Sequence, residues 1–266
     1  MDDVRALFER AVRFEHELQD RSAERTETFR WGRAIFNDTC HRVYDLNALR
    51  LEQTDPEPTV EGLVEEADRL HGAAGHEHRR LVVDDAELGE RLAPGFRAAG
   101  WEVRRFLYMG QLREPDDAEI RAEVRELDEA THWEAKRWFM SGAPEAFDDL
   151  VVTQLLERDR LKAANVDFRR FGVEADGRAV SVCELYSDGA TAQVEDVSTQ
   201  EPYRGRGYAR ATVLTAARTG RDLGCDFVFL VADHDDCPKA LYAKLGFDPL
   251  GVVYDFLKLP PGEKLP

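Results

Sequence analysis

The sequence has few of the features that mark a secreted or membrane-spanning protein. It contains only four cysteines, which are widely spaced and form no CxxC pair: Cys40, Cys183, Cys225 and Cys237. This spacing excludes a zinc ribbon and a thioredoxin-like redox site, and it favours reduced thiols in the core. The longest apolar run, Phe227 to Ala232, is too short to cross a bilayer, and the acidic, amphipathic start is unlike a targeting peptide. We therefore expect a cytoplasmic protein.

Positive charge is also scarce in this chain. The 266 residues include 36 Lys and Arg against 53 Asp and Glu, which gives a formal net charge of −17. Such a surface repels phosphate backbones and anionic lipids, so neither nucleic acid nor a membrane is an expected partner, whereas a cationic ligand is favoured. The length permits two modest domains or one large one, and it can bury a core without a disulfide or a metal.

Hydrophobic periodicity predicts a mixed α/β fold whose two halves share an order of elements. In the first half the predicted helices and strands lie at residues 2–27, 31–36, 46–51, 60–71, 79–85, 86–100 and 101–109. In the second half they lie at residues 118–140, 144–161, 166–174, 178–186, 191–199, 209–223, 226–233, 238–246 and 247–259. Similar segments recur at nearly constant offset: Val82-Val83 precedes Leu230-Val231 by 148 residues, and Gly100-Trp101 precedes Gly246-Phe247 by 146. This repetition indicates an internal duplication with a linker near residues 112–117.

A glycine-rich turn at residues 202–209, PYRGRGYA, is the sharpest local feature. It lies between a predicted strand and a predicted helix, where unpaired N–H groups and the helix dipole favour an anion. Arg204, Arg206 and Arg210 add three positive charges to an otherwise acidic chain, which fits a bound pyrophosphate. Neither the GxGxxG fingerprint nor the P-loop pattern is present. A solvated surface turn is the alternative interpretation.

This turn is similar to the Arg/Gln-x-x-Gly-x-Gly/Ala signature of the GNAT superfamily of acyl-CoA-dependent N-acetyltransferases. Arg204, Gly207 and Ala209 occupy its fixed positions. Further along, PKALYAKLGF resembles the final helix motif of that superfamily, with Tyr242 ahead of the pair Gly246-Phe247. The resemblance covers residues 113–266 through these motifs and the first half through element order alone.

The resemblance implies two GNAT-like mixed α/β domains of the acyl-CoA N-acyltransferase type in tandem. Residues 1–112 would form a degenerate domain without the CoA-binding turn, and residues 113–266 would form the active acetyltransferase domain. In the first half TDPEPT, at residues 54–59, takes the place of the glycine turn, and its carboxylates Asp55 and Glu57 would repel CoA. We expect this half to be structural and to wall the amine site.

The resemblance also implies which residues bind acetyl-CoA, the acyl donor. The strand before the turn would pair through its main chain with the pantetheine arm, with one backbone N–H near the thioester oxygen. The turn would hold the pyrophosphate. Asp235 stands where the family often has an asparagine near the pantetheine. The expected cofactor-binding residues are Val197, Ser198, Thr199, Arg204, Gly205, Arg206, Gly207, Tyr208, Ala209 and Asp235.

Acetylation of an amine requires a proton acceptor for the ammonium, a donor to the oxyanion and a proton for the leaving thiolate. Glu195 and Asp196 interrupt a strand that ought to be buried, which is costly for carboxylates without partners. They are similar to the Glu-Asp pair of the GNAT subgroup that acetylates diamines and polyamines, in which the glutamate, nine residues before the arginine, is the base. This similarity implies Glu195 as base, Asp196 as the residue that orients the amine, and Tyr242 as general acid.

Alternatives to these roles remain open. Glu184 on the neighbouring strand would replace Glu195 if the register differs by one strand, and both carboxylates could instead be solvated or paired with arginines. His71, His76 and His78 cluster near a helix end without a carboxylate at ligand spacing, so we expect a solvated surface there and no metal.

Together these features predict an acetyl-CoA-dependent N-acetyltransferase that acts on a primary amine of a small substrate. The acidic composition favours a cationic one. A non-catalytic acyl-CoA-binding sensor or regulatory module is the alternative, and in it Glu195 and Tyr242 would be dispensable. The amine would be recognised by the first two helices of the second half, the loop between them and the first half.

Overall fold

The computed structural model describes residues 2–141, 148–235 and 238–263. Cys237 lies outside these residues, whereas Cys40, Cys183 and Cys225 are free and buried, as expected for core thiols. None of the described helices is both long and apolar enough to cross a membrane.

The first half of the chain begins with a long helix that packs over the sheet. Its elements are α1 (Asp2–Ser22), β1 (Arg25–Phe29), β2 (Gly32–Phe36), a 3-10 turn (Tyr44–Leu46), β3 (Ala48–Leu51), α2 (Val60–Ala73), β4 (Arg79–Val83), α3 (Ala86–Ala98) and β5 (Glu102–Gln111). The Thr59 hydroxyl caps α2 at the N–H of Gly62, and the Asp85 carboxylate caps α3 at that of Leu88. The prediction of a helix to residue 27 is wrong at its end, because residues 25–29 form β1 against β2.

The second half contains the longer strands. Its elements are β6 (Arg125–Glu126), α4 (Glu129–Ser141), α5 (Asp149–Ala164), β7 (Asp167–Ala175), β8 (Arg178–Ser187), β9 (Thr191–Thr199), α6 (Tyr208–Asp222), β10 (Phe227–Asp233), α7 (Pro238–Lys244) and β11 (Phe247–Lys258). The turn between β7 and β8 is an Asp-Gly turn, with φ of 53° at Asp176 and 76° at Gly177.

The predicted helix over residues 118–140 is wrong before Glu129. The Asp128 carboxylate caps α4 at the N–H of Thr131 (2.9 Å), so the helix begins there. Arg210 and Arg218 of α6 donate hydrogen bonds to backbone carbonyl oxygens of residues 117–119. These bonds hold the preceding segment against α6 in a non-helical conformation.

The eleven strands of the described residues form one sheet, in which the last strand of each half lies beside strands of the other half. The order is β1-β2-β3-β4-β11-β5-β10-β9-β8-β7-β6. β11 is antiparallel to both β4 and β5, and β5 is antiparallel to β10. The sheet is therefore continuous across residue 112, and the division into domains of residues 1–112 and 113–266 stays a prediction.

The helix α1 lies over strands of both halves. Its buried residues Phe14 and Leu18 share a hydrophobic cluster with Tyr186 of β8, Phe229 of β10 and Val253 of β11. Because this cluster joins the two halves on one face of the sheet, polar residues of α1 are brought beside the strands of the second half.

The histidine cluster of the first half is buried, so the prediction of a solvated surface is wrong. His71, His76 and His78 are at most 7% exposed. The Nε2 atoms of His71 and His78 lie 3.2 and 3.0 Å from the carbonyl oxygen of Asn47. Burial lowers the pKa of His71 to about 4, so its ring is neutral at pH 7.

Candidate active site

Two parallel strands of the second half separate at the point where the predicted catalytic residues begin. β9 and β10 are paired from Thr191 and Phe227 as far as Val194 and Leu230. Beyond this point β9 continues to Thr199 along β8 only. The side of residues 195–199 that faces β10 therefore has backbone groups available for an extended ligand. In the first half the equivalent strands β3 and β4 stay paired up to Leu51 and Val83, the last residue of each strand.

A β-bulge marks the start of this opening. The register with β8 shifts between the pairs Val182–Ser198 and Glu184–Glu195, so two residues of β9 oppose one of β8. Asp196 lies in the bulge with φ of 49°, a left-handed conformation that aspartate tolerates better than most residues. Because of the bulge, neighbouring side chains of β9 do not alternate between the two faces of the sheet as they would in a regular strand.

The glycine turn follows β9 and ends at the N-terminus of α6. Gly205 and Gly207 have φ of 74° and 79°, and Gly207 precedes the helix without any side-chain cap. A Cβ added at either position would meet no atom of the described residues within 4 Å, so the positive φ is what requires glycine here. The turn is exposed, and the helix N-terminus is open to an anion from solvent.

The arginines of the turn differ in their partners. The Arg204 Nε donates to the carbonyl oxygen of Thr199 at 3.1 Å. Arg206 donates to the carbonyl oxygen of Pro202 at 3.1 Å and lies 5.1 Å from the ring of Tyr203. Both remain exposed at the turn, whereas Arg210 is committed to the segment at residues 117–119.

The carboxylate of Glu195 lies at the edge of the opening, on the wall of a cavity of about 430 Å³. The Gln193 Nε2 donates to Oε2 of Glu195 at 2.7 Å. Burial raises the pKa of Glu195 to about 8; the negative charges of Glu15, Asp196 and Glu184 act in the same direction, and Lys162 opposes them. Such a carboxyl group exchanges its proton near neutral pH, as a general base must.

Comparisons with known proteins agree with this geometry. The model of the acetyltransferase (GNAT) family matches residues 127–247, which contain the bulge, the opening and the glycine turn. These residues are therefore similar to GNAT-family domains. The sequence matches no curated protein.

Solved structures similar to this chain show the same fold over nearly its whole length. A functionally unknown conserved protein from Staphylococcus epidermidis has a TM-score of 0.70 at 14% identity, covering 89% of this chain and 94% of that one. A GCN5-related N-acetyltransferase from Kribbella flavida has a TM-score of 0.58 at 17% identity, covering 94% and 95%. A tandem GNAT protein from the clavulanic acid biosynthesis pathway has a TM-score of 0.51 at 12% identity, covering 81% and 76%. The predicted fold, two GNAT-like domains in tandem, is confirmed.

A buried lysine lies among three carboxylates of the cavity wall. Lys136 of α4 is 2% exposed, and its Nζ lies 2.5 Å from Asp159, 2.7 Å from Glu184 and 2.5 Å from Asp196. The three carboxylates are close enough together to hold a metal ion, but the ammonium group lies among them. Asp196, predicted to orient the amine, is therefore bound to a lysine of the protein.

The alternative base, Glu184, belongs to this internal network. It is fully buried and accepts hydrogen bonds from His132 Nε2 at 2.8 Å and from the Tyr186 hydroxyl at 2.6 Å, besides the bond from Lys136. Although burial alone would raise it, Lys136 and His132 hold the pKa of Glu184 well below its usual range. A carboxylate so strongly stabilised in its charged form is a poor proton acceptor, so the geometry favours Glu195.

Tyr242 and Asp235, both predicted to be site residues, do not line the cavity. Tyr242 of α7 is 7% exposed, and its ring packs edge-to-face against Phe247 at 6.4 Å. It is absent from the described residues that line the cavity. Asp235, predicted near the pantetheine, is exposed, and its Oδ1 lies 2.5 Å from Arg105 of β5. The bonds to His234 and Arg105 lower the pKa of Asp235.

The sequence predicted that the first half would wall the amine site, but not which residues would do so. Glu15 of α1 and Arg104 and Tyr108 of β5 line the cavity from the first half, and Asp255 of β11 lines it from the second. Glu15 lies between Ala11 and Leu18 on the buried face of α1. A charged residue within the apolar face of a helix is the signal by which the sequence could have identified Glu15 as a candidate site residue.

Proposed function

We propose that this protein transfers the acetyl group of acetyl-CoA to a primary amine of a small, cationic acceptor. The observation that carries the proposal is the position of Glu195, where the opening between β9 and β10 meets a charged cavity. The GNAT family uses acetyl-CoA as acyl donor, so an acyl group in the opening and an amine in the cavity would meet at this carboxylate.

The cofactor would enter along β9. Main-chain groups of Val197, Ser198 and Thr199 would pair with the pantetheine arm, because β10 has separated from this side of the strand. The N–H groups of the turn and of the start of α6, at residues 205–209, would hold the pyrophosphate with the help of Arg204 and Arg206. Asp235, at the end of β10, would flank the arm. The first half would bind no CoA, since its strands do not separate.

The chemistry then requires the ammonium nitrogen to lose two protons and the sulphur to gain one. Glu195 accepts the first proton of the acceptor's ammonium group, directly or through water, and the free amine attacks the thioester carbonyl. A backbone N–H of β9 stabilises the oxyanion. As the carbon–sulphur bond breaks, Tyr242 gives its proton to the thiolate, and the second proton of the nitrogen, passed through solvent, restores the phenol. Asp196, held by Lys136, adds negative charge to the cavity wall.

The charges of the cavity support a cationic acceptor. Eight of its lining residues are Asp or Glu and five are Lys or Arg. Since the buried cations are bound to protein carboxylates, the excess of negative charge faces whatever enters the cavity. This cavity favours an ammonium group over a neutral or anionic acceptor.

A thiol-release assay with acetyl-CoA tests the proposal over polyamines, aminoglycosides, amino acids and peptide N-termini. We expect turnover with a cationic amine, and a loss of at least about 100-fold in kcat for Glu195→Gln. Glu174→Gln, an exposed carboxylate of β7, is the matched control and should leave kcat unchanged. CoA binding without thiol release from any amine would support the acyl-CoA sensor, and absence of CoA binding would refute both functions.

A further inference from the structure

The first half of the chain places one carboxylate directly beside the proposed base. Glu15 of α1 lies on the cavity wall, outside the residues that match the GNAT family model. Its Oε1 accepts a hydrogen bond from Gln193 Nε2 at 2.7 Å, and its Oε2 accepts one from the Tyr108 hydroxyl. Both donors are neutral, so they fix the carboxylate without cancelling its charge.

The side-chain amide of Gln193 donates hydrogen bonds to both Glu15 and Glu195. The same Nε2 atom lies 2.7 Å from Oε1 of Glu15 and 2.7 Å from Oε2 of Glu195. The two bonded oxygens are therefore no more than about 5.4 Å apart, a distance at which one ammonium group reaches both carboxylates with ordinary hydrogen bonds. The Gln193 side chain is 2% exposed, so this spacing is set by the packed interior of the sheet.

No ion pair to Glu15 is present among residues 2–141, 148–235 and 238–263. Three other carboxylates of the cavity wall do have cations: Asp159 and Asp196 bind Lys136, and Asp255 binds Arg80 and Arg104. A half-buried carboxylate with neutral donors alone gains most from a cation that arrives with a ligand.

We propose that Glu15 is an acceptor-binding residue, which holds the ammonium group of the substrate against Glu195 until its proton is transferred. This inference rests on the proposed acetyltransferase function and extends it, since it assigns part of the acceptor site to the degenerate half of the chain. Gln193 and Tyr108 are the positioning residues for this carboxylate.

Glu15 also acts on the proton affinity of the base through its charge. The groups that act on Glu195 include Glu15 from α1, Lys162 from α5, Tyr108 from β5, and Asp196 with its partner Lys136. Glu184, Tyr186 and Cys183 act on it from β8. Among them Glu15 raises the pKa of Glu195, because two nearby negative charges disfavour each other. Removing the charge of Glu15 therefore lowers the pH at which Glu195 loses its proton.

The test is steady-state kinetics of Glu15→Gln with the most rapidly acetylated amine of the panel above. We expect its KM for the amine to rise about tenfold or more, while the KM for acetyl-CoA stays within about twofold. The midpoint of the acid limb of kcat/KM should move to lower pH by roughly half a unit to one unit. Glu9→Gln, an exposed carboxylate of the same helix, should change neither quantity.

Glu15→Asp keeps the carboxylate charge on a side chain that is shorter by one methylene group. This variant provides the test if Glu15→Gln does not fold. We expect it to raise the KM for the amine and to leave the pH midpoint in place. A wild-type KM for the amine in Glu15→Gln, or in Glu15→Asp where only that variant folds, would overturn the role of Glu15 while leaving the acetyltransferase function intact. A wild-type protein that acetylates no amine would instead remove the proposed function, and this inference with it.

Discussion

Replacing Lys136 with methionine removes the single cation shared by three carboxylates while nearly preserving the volume of the side chain. Lys136 and Asp159 are each 2% exposed, Glu184 is fully buried and Asp196 is 32% exposed. Breaking a buried ion pair by removing one partner typically costs about 3–5 kcal/mol of unfolding free energy, because the remaining charge is left unpaired.

The remaining partners place the expected loss at the lower end of this range. Asp159 keeps Arg158 at 2.6 Å, and Glu184 keeps His132 and the Tyr186 hydroxyl. The charge of Asp196 is partly screened by solvent. We therefore expect Lys136→Met to lower the unfolding free energy by about 3 kcal/mol at pH 7.

The pH dependence of this loss has a definite sign. In the wild-type protein the pKa of Glu184 is below its ordinary value of 4.5, so its stabilising contribution is present above that pH and is lost as the pH falls through the lowered pKa. Without Lys136, burial is the dominant influence and raises this pKa above 4.5. The folded variant then binds a proton more tightly than the unfolded chain, so its deficit shrinks as the pH falls from 7 to 5.

Urea unfolding at pH 7, 6 and 5 measures this deficit as the difference between variant and wild type. The difference is needed because Glu195, with its pKa raised to about 8, stabilises both proteins at low pH and loses this effect as the pH rises through 8. Lys258→Met, an exposed lysine at the end of β11, is the matched control. A deficit below about 1 kcal/mol at pH 7, or one that grows on acidification, would refute the reasoning.

Three further predictions concern the site and the sheet. The kcat/KM for the amine should rise with pH through a midpoint near 8 as Glu195 loses its proton, and a flat profile between pH 6 and 9 would contradict Glu195 as base. Gly207→Ala, at φ of 79°, should lower the unfolding free energy by about 1 kcal/mol and weaken CoA binding, measured by calorimetry, several-fold. The control Gly189→Ala, at φ of 89° in the β8–β9 turn, should lower the unfolding free energy by a similar amount and leave CoA affinity unchanged. Residues 113–266 expressed alone should lack cooperative thermal unfolding, because β5 is missing between β10 and β11, and co-expression with residues 1–112 should restore it.

Much of the fold could be predicted from local signals. The Asp176-Gly177 turn and the glycine turn before α6 follow from backbone conformations that few residues adopt. The errors arose where tertiary contacts overrule periodicity. Residues 25–29 are a strand because β2 offers an edge to pair with, and residues 117–119 are held in a non-helical conformation by arginines of α6.

The candidate site was predictable only where its chemistry lies in one stretch of chain. Glu195 stands at a fixed distance from the glycine turn, and the structure places it beside the opening of the sheet. Lys136 and Glu15 reach the same cavity from helices 59 and 180 residues away. No spacing rule links them to Glu195, because their proximity is created by the packing of α1 and α4 on the sheet.

The strand order explains how the first half, whose strands β3 and β4 do not separate, contributes to the cavity. Because β5 lies between β10 and β11, its inward-facing Tyr108 is the partner of Val231 on β10 and donates to Glu15. Part of the cavity wall is thus made of α1 and β5, which precede the residues that match the GNAT family model. Substitutions there change the cavity without touching the glycine turn. We therefore expect substitutions in α1 and β5 to alter the KM for the amine and to leave CoA affinity unchanged.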